Sequence, residues 1–484
     1  MLFRPVDLPD RNTAMTRLHG AMLLALGSLL LGACRHAPPL ALAPGQSAAA
    51  LEGRSLASPG LQRFLSARLG RPPDPWPPAS WGLRELTLVA LYYRPELRVA
   101  GATAAVARAH VRRAAQRPNP SVSVLPQWVS NAASGISPWL AAAQLDWPIE
   151  TAGKRGYRRA AAQERAEAAE QAVRRVQWRV RGEVHTALVG LVAADARAAL
   201  AARVRESERE ELDLLERRLA QGAVSEAVVA PQRLSWVQAR ADQATARRRV
   251  LEARARLAAA LGVPGRALAD LPLAFRLDAA PEGLEALSSR DARRAALLGR
   301  SDLREALARY GAAEQDLRLE LAKQVPDLHF GPAYEFDQGS NKWGITLSLE
   351  LPLLNRNDGG IDEAIARRAE VAAGFEALQA QVIAQVESAS AALEGSRREL
   401  EQARSLVEAQ RQRRALLEAA LASGAVDRLA LVGAELALQR AEGLRLDAQE
   451  RFQRAIAQLE QAVEPPLSLL DGEAGPDPAG GGSP

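Results

Sequence analysis

The sequence predicts an α+β membrane protein built from one unit used twice, each copy a strand hairpin followed by a hairpin of very long helices. Three observations point there. Landmarks recur in the same order: Arg94-Pro95-Glu96-Leu97-Arg98 returns as Arg300-Ser301-Asp302-Leu303-Arg304, and Pro120 and Pro148 return as Pro326 and Pro352. Gln221-Gly222-Ala223-Val224 likewise returns as Ser423-Gly424-Ala425-Val426, with offsets of 206, 206, 204 and 202 residues across the four pairs. Composition is the second observation: 4% aromatic and 25% charged residues, with Ala, Leu, Arg and Glu dominant, is the balance of long helices. The third is a set of four alternating segments of about ten residues, the length a tilted strand needs to cross a bilayer.

The N-terminus comes first in the chain. Arg17 and His19 precede an apolar run from Ala21 to Leu31, too short to span a bilayer as a helix and shaped like a secretory signal. Leu31-Gly32-Ala33-Cys34 resembles the lipobox of bacterial lipoproteins, which implies cleavage before Cys34 and a covalent lipid on that cysteine, the only one in the chain. Arg35 in place of an aspartate fits sorting to the outer membrane. Asp7 and Asp10 are unusual in a signal, so Met15 is an alternative start. Residues 34–81, rich in Pro, Ala, Gly and Ser without sustained periodicity, read as a lipidated tether that lies along other structure or stays mobile.

The first repeat, residues 82–262, carries strands at about 120–130 and 139–149. Val122, Val124 and Trp128 alternate with Ser121, Ser123 and Gln127; Trp139, Ala141, Ala143, Leu145 and Trp147 follow, with Gln144 and Asp146 among their partners. After Gly153, Val173, Val176, Val180, Val184, Ala187, Leu191 and Ala194 step by three and four along one helix face to about residue 221. At ~1.5 Å per residue this helix is on the order of 100 Å long. Gly222 suits a positive-φ turn and Ser225 an N-cap, and a return helix runs to Leu261.

Residues 263–293 connect the copies near an equatorial region. The second repeat, 294–463, has strands at about 326–336 and 342–352. Leu328, Phe330, Tyr334 and Phe336 alternate with Asp327, His329, Ala333 and Glu335, and Trp343, Ile345, Leu347, Leu349 and Leu351 with small and polar residues. Its long helix carries Val371, Phe375, Leu378, Val382, Val386, Ala389 and Leu393 on one face; Gly424 makes the turn and Asp427 the N-cap. Residues 464–484 form a flexible tail. An apolar and a polar face fit either a membrane barrel wall or a soluble sheet packed on one side. Four strands do not close a barrel, and an open edge is not tolerated in lipid, so a membrane reading requires oligomers.

Several classes are excluded. The net charge of +5 is spread as mixed charges along helix faces, and no zinc-finger spacing or recognition helix is present, so nucleic acid is not a partner. His19, His36, His110, His185 and His329 are scattered, and no phosphate loop, metal-ligand cluster or nucleophile constellation accompanies them. The chain is not expected to be an enzyme, and no cofactor is expected beyond the lipid on Cys34.

At these residues the chain resembles the TolC family of outer-membrane efflux channels, over about residues 82–463. Leu351-Pro352-Leu353-Leu354-Asn355-Arg356-Asn357-Asp358-Gly359-Gly360 and Gly153-Lys154-Arg155 are similar to the strand–helix junctions of its CzcC-type heavy-metal branch. The resemblance implies a homotrimer with a 12-stranded barrel continuous with a periplasmic α-helical barrel, joined at junctions that include Pro148 and Pro352. It implies a periplasmic adaptor, an inner-membrane RND pump and outer-membrane lipid as partners, in the outer membrane of a Gram-negative bacterium. Gly222, Ala223, Val224, Gly424, Ala425 and Val426 would form the periplasmic tips that meet the adaptor. Some members carry aspartates shortly after the second tip glycine that narrow the pore; Ala430 and Gly433 stand near those positions here, and Asp427 is the nearest acid. The implied function is passive conduction, divalent heavy-metal cations being favoured over drugs or organic solutes. A type I secretion channel and a coiled-coil lipoprotein without a pore are the other readings.

Overall fold

The computed structural model describes residue 39 and residues 41–269, 271–279 and 288–465. The lipobox residues Leu31, Gly32 and Ala33, the lipidation candidate Cys34, and most of the 464–484 tail lie outside the described residues. The described residues up to Glu52 form a unit of their own, whose helix α1 (Pro44–Glu52) is exposed along its length. The described residues from Gly53 onward are the second unit.

Its first repeat runs α3 (Leu83–Tyr93), α4 (Pro95–Ala114), β1 (Ser121–Trp128), β2 (Trp139–Ile149), α5 (Lys154–Ala220) and α6 (Glu226–Leu261), preceded by α2 (Pro59–Leu69). The second runs α7 (Ser289–Gly299), α8 (Ser301–Ala322), β3 (Leu328–Asp337), β4 (Ser340–Leu349), α9 (Asp358–Ala422) and α10 (Arg428–Val463). The long helices have 67 and 65 residues and both return helices have 36. No helix among the described residues is long and apolar enough to cross a membrane.

The strands form one antiparallel sheet in the order β1-β2-β3-β4, so the β2–β3 ladder joins the repeats. Register keeps like with like. Val122 faces Leu145, Trp147 faces Phe330 and Tyr334 faces Trp343, while Ser121 faces Asp146 and His329 faces Ser348. Trp128 and Trp139 meet edge-on at 4.8 Å, next to the connection between β1 and β2. Gly331 is required by close approach: a Cβ there would lie 1.5 Å from the Leu145 carbonyl oxygen.

Each repeat has its own apolar core. The first gathers Leu86, Val89, Val184, Leu188, Leu257 and Leu261; the second gathers Val382, Val386, Phe452, Ile456 and Leu459. The duplicated arginine motif sits where each short helix meets the next. Arg94 donates Nε and Nη2 to Glu96 and Nη1 to the Ala259 and Ala260 carbonyls that end α6. Arg300 does the same with Asp302 and with the Ala462 carbonyl that ends α10. A guanidinium at a helix C-terminus satisfies its free carbonyls and opposes its dipole. Both copies therefore use the motif to cap the return helix.

Three boundaries differ from the sequence reading. The stretch assigned as a tether that lies along other structure or stays mobile takes the first course from Leu56 onward and belongs to the first repeat's core: Ser58 caps α2, and Leu56, Leu61, Leu65 and Trp81 are buried there. Trp81 forms a parallel bridge to Leu273 in the connecting segment, a contact that local periodicity does not register. The second repeat begins before 294, because Ser288 caps α7 by accepting from the Asp291 amide. Glu464, assigned to the tail, ends α10 in a left-handed conformation, and its carboxylate accepts from the Ser301 amide and hydroxyl.

Candidate functional site

The two helical turns are built alike from the backbone upward. Gly222 and Gly424 adopt φ of 75° and 76°, with open space where a Cβ would stand. The Ala223 amide donates to the Arg218 carbonyl and the Gly222 amide to Leu219; the Ala425 amide donates to Ala420 and the Gly424 amide to Leu421. This six-to-one bond enclosing a five-to-two bond is the Schellman closure, which needs a left-handed residue and so favours glycine. Val224 then packs beside Leu219 on the cluster of Leu212, Leu215 and Val229, which α10 joins through Leu429. Ala223, Ala425 and Gly424 are exposed, and Val426 is half-buried.

The caps differ. Asp427 accepts from the Ala430 amide at 2.9 Å and pairs with Arg218 at 2.5 Å. The Arg218 guanidinium, with the Ala430 amide, holds the Asp427 carboxyl below the usual aspartate range. Ser225 stands at the corresponding N-cap, where the sequence reading put it, but its side chain makes no capping bond. Arg428 adds a bidentate pair to Glu210 at 2.6 and 2.9 Å. The end of α5 and the start of α10 are therefore fastened by two ion pairs and an apolar contact. Sequence reading missed this, since the partners stand 209 and 218 positions apart.

The strand–helix junctions also repeat a shape with different chemistry. Gly153 and Asn357 both cap their long helices in a left-handed conformation, at φ of 73° and 63°. In the first junction, Pro148 pairs with His329, and Lys154 donates to the Val325 carbonyl at 2.6 Å and the Asp327 carboxylate at 2.7 Å. Arg155 is exposed, while Arg158 carries the bonds to Glu150 and the Ala114 carbonyl. In the second, Asn355 accepts from the Asn357 amide, and the Asn357 side chain donates to the carbonyl and carboxylate of Glu320. The Arg356 carbonyl accepts from Gln324, its side chain being exposed, and Pro352 is half-buried. Lys154 thus ties the first junction to the second repeat, whereas Asn357 binds within its own.

In the single chain the sheet exposes its aromatic and aliphatic face, including Val122, Trp147, Trp343, Ile345 and Leu347. The other face carries Ser121, Ser123, Gln144, Asp146, His329, Thr346 and Ser348, with His329 Nδ1 3.0 Å from Asp146. Among the described residues, no group of three or more His, Cys, Asp or Glu is placed to hold a metal ion.

Comparison with known proteins follows this geometry. The family described as outer membrane efflux protein matches residues 88–263 and 292–463. Those two segments correspond to the two repeats. Among solved structures, a membrane protein from Pseudomonas aeruginosa has a TM-score of 0.63 at 24% identity, covering 79% of this chain and 90% of its own. CusC has a TM-score of 0.63 at 20% identity, covering 81% and 95%; the outer membrane protein VceC from Vibrio cholerae has 0.63 at 19%, covering 83% and 97%. At these identities the likeness establishes the fold. No curated protein matches the chain.

Proposed function

Because the chain belongs to the outer membrane efflux protein family, and is a channel protein rather than an enzyme, we propose that three copies assemble into a passive export conduit. Each copy supplies four strands to a 12-stranded barrel and two helical hairpins to a periplasmic tube. The observation that carries this reading is the sheet itself: strands of 8, 11, 10 and 10 residues with an apolar and a polar face, and two unpaired edges. Such edges are satisfied in lipid only by closure with further copies. The polar face would then line the pore.

The proposed partners are a periplasmic adaptor at Gly222–Val224 and Gly424–Val426 and an inner-membrane RND pump that supplies the energy. The lipid on Cys34 would anchor the chain to the outer membrane. Divalent heavy-metal cations are the favoured cargo, on the likeness of Gly153-Lys154-Arg155 and Asn355–Gly360 to the CzcC-type junctions. A hydrated tube needs no tight cation site, so selectivity would rest with the pump. Drug or organic-solute efflux and polypeptide secretion use the same architecture. Asp427 is a weak gate acid in this reading, since its carboxylate is already engaged as a cap and ion pair.

The test is deletion followed by growth on cobalt, zinc, cadmium, copper and a drug panel. Metal sensitivity is expected; unchanged metal tolerance with new drug sensitivity would overturn the cargo. Planar-bilayer conductance of the purified protein tests the pore itself, and a silent bilayer would return the chain to a coiled-coil lipoprotein.

A further inference from the structure

The polar face of the sheet holds one group of side chains that neither the tips nor the junctions use. His329 on β3 stands between two carboxylates. On one side Pro148 faces it, and Asp146 lies two positions before Pro148 on the same face of β2. On the other side Ser348 faces it, and Glu350 lies two positions after Ser348, just past the end of β4. Both acids are thus diagonal neighbours of the imidazole across a ladder. His329 Nδ1 lies 3.0 and 3.1 Å from the two Asp146 oxygens. An ionised carboxylate only accepts, so Nδ1 carries the proton and Nε2 keeps its lone pair. Among the described residues, Nε2 makes no hydrogen bond and Glu350 no ion pair. The His329 and Asp146 side chains are 43% and 39% exposed, so the pair is open to solvent in the single chain.

His329, Asp146 and Glu350 line one cavity of about 450 Å³, together with Ser121, Ser123, Gln144, Thr346 and Ser348. The β2–β3 ladder is interrupted beside it, between Gln144 opposite Ala333 and Trp147 opposite Phe330. Pro332 has no amide to donate there. Gly331, opposite Thr346, has no side chain to fill the space next to His329. The cavity therefore presents one imidazole nitrogen among hydroxyl, amide and carboxylate oxygens.

We propose that His329, oriented by Asp146, is the nitrogen ligand of a weak transit site for divalent zinc or copper on the polar face of the sheet. Glu350, the neighbouring hydroxyls and water supply oxygen donors. Three features of the chemistry support this assignment. A carboxylate that holds one ring nitrogen fixes the tautomer and aims the other nitrogen outward, the usual arrangement behind a metal-binding histidine. Imidazole suits zinc and copper, whereas sites built from carboxylate and water alone suit magnesium and calcium. Among the described residues, no third His, Cys, Asp or Glu joins the donors to make a tight site. A conducting path needs that weakness, because an ion that is captured must also leave. Transit rests on the conduit proposed above; binding of the ion does not.

The test is equilibrium dialysis of the full chain in detergent against zinc chloride, with and without excess magnesium. The wild type is expected to hold one more zinc ion per chain than His329→Asn, which keeps a donor toward Asp146 but has no imidazole nitrogen. Magnesium should leave that difference in place. Asp146→Ala is expected to weaken the site by about 10–100-fold, the usual effect of removing the group that orients a histidine ligand. Equal zinc uptake by wild type and His329→Asn overturns the proposal, as does a difference that magnesium abolishes. Unchanged affinity in Asp146→Ala overturns the orienting role. Should His329→Asn fail to assemble, His329→Gln carries the same comparison. The two readings fail separately: a silent planar bilayer overturns the conduit and transit with it, while the zinc difference stands or falls by itself.

Discussion

The two long helices come from one repeated pattern and differ by two residues in length, yet their surroundings are opposite. In α5, twenty-two positions are buried; in α9, six. The reason is neighbours: α5 is packed by α6, α4 and α3 from its own repeat and by α8 and α10 from the other. Among the described residues, α9 packs against α10, α8 and α7 of its own repeat. By the internal pseudo-symmetry, the partners missing from α9 correspond to α4 and α6, which a second copy would supply. Both candidate surfaces carry exposed apolar side chains: Ile365, Leu406 and Leu416 on α9, and Val228, Leu234, Val237 and Leu251 on α6. The contrast teaches that one repeated pattern is buried or left open according to which neighbours its repeat receives.

The largest expected effect tests that contrast directly. Leu188→Ala, at a fully buried position of α5, is expected to cost ~2–5 kcal/mol in urea unfolding. Leu416→Ala, 73% exposed on α9, is expected to cost less than ~0.5 kcal/mol in the unassembled chain. Equal losses would break the comparison. Leu416→Glu sharpens it, and is expected to block assembly in light scattering while leaving the monomer folded.

The turns come next. Gly222→Val and Gly424→Val each force a branched residue into left-handed backbone, a penalty of roughly 1–2 kcal/mol. Export is expected to suffer while trimers still form, and full export by Gly424→Val would count against the tip assignment. Below that stand the caps. Asp427→Ala is expected to cost ~0.5–2 kcal/mol, and Ser225→Ala only a few tenths, because only the aspartate caps through its side chain. The Asp427 contribution is that of a depressed carboxylate: present above its ordinary value of 3.8 and lost as pH falls through the folded value. A wild-type acid transition that survives in Asp427→Asn with undiminished amplitude would assign it elsewhere. The smallest effect is expected on α9's exposed face, where removing the Arg398–Glu394 pair should change stability by less than ~0.5 kcal/mol.

Much of this architecture was legible because it is local. The three-and-four spacing from Val173 to Ala194 describes one face of α5, and the alternation from Trp343 to Leu349 describes β4. The turn glycines Gly222 and Gly424 announced their backbone conformation through the absence of a side chain. The fastenings were not legible. Lys154 and Asp327, Arg218 and Asp427, and His185 and Glu460 are ordinary charges on helices and at strand ends until chain topology brings them together. Ser225 looked like Asp427 in sequence, and only side-chain geometry separates a capping residue from one that merely occupies the position.

The sequence by itself determined periodicity and turn conformation, because these depend on residues within a few positions of one another, and duplication, because likeness between two segments is read without knowing which residues touch. Only the tertiary structure decided that β2 pairs with β3, that α10 of one repeat rests on α5 of the other, and which charges lose their water and need a partner. Desolvation and pairing depend on what lies across a packed boundary, and that boundary joins residues far apart in the chain.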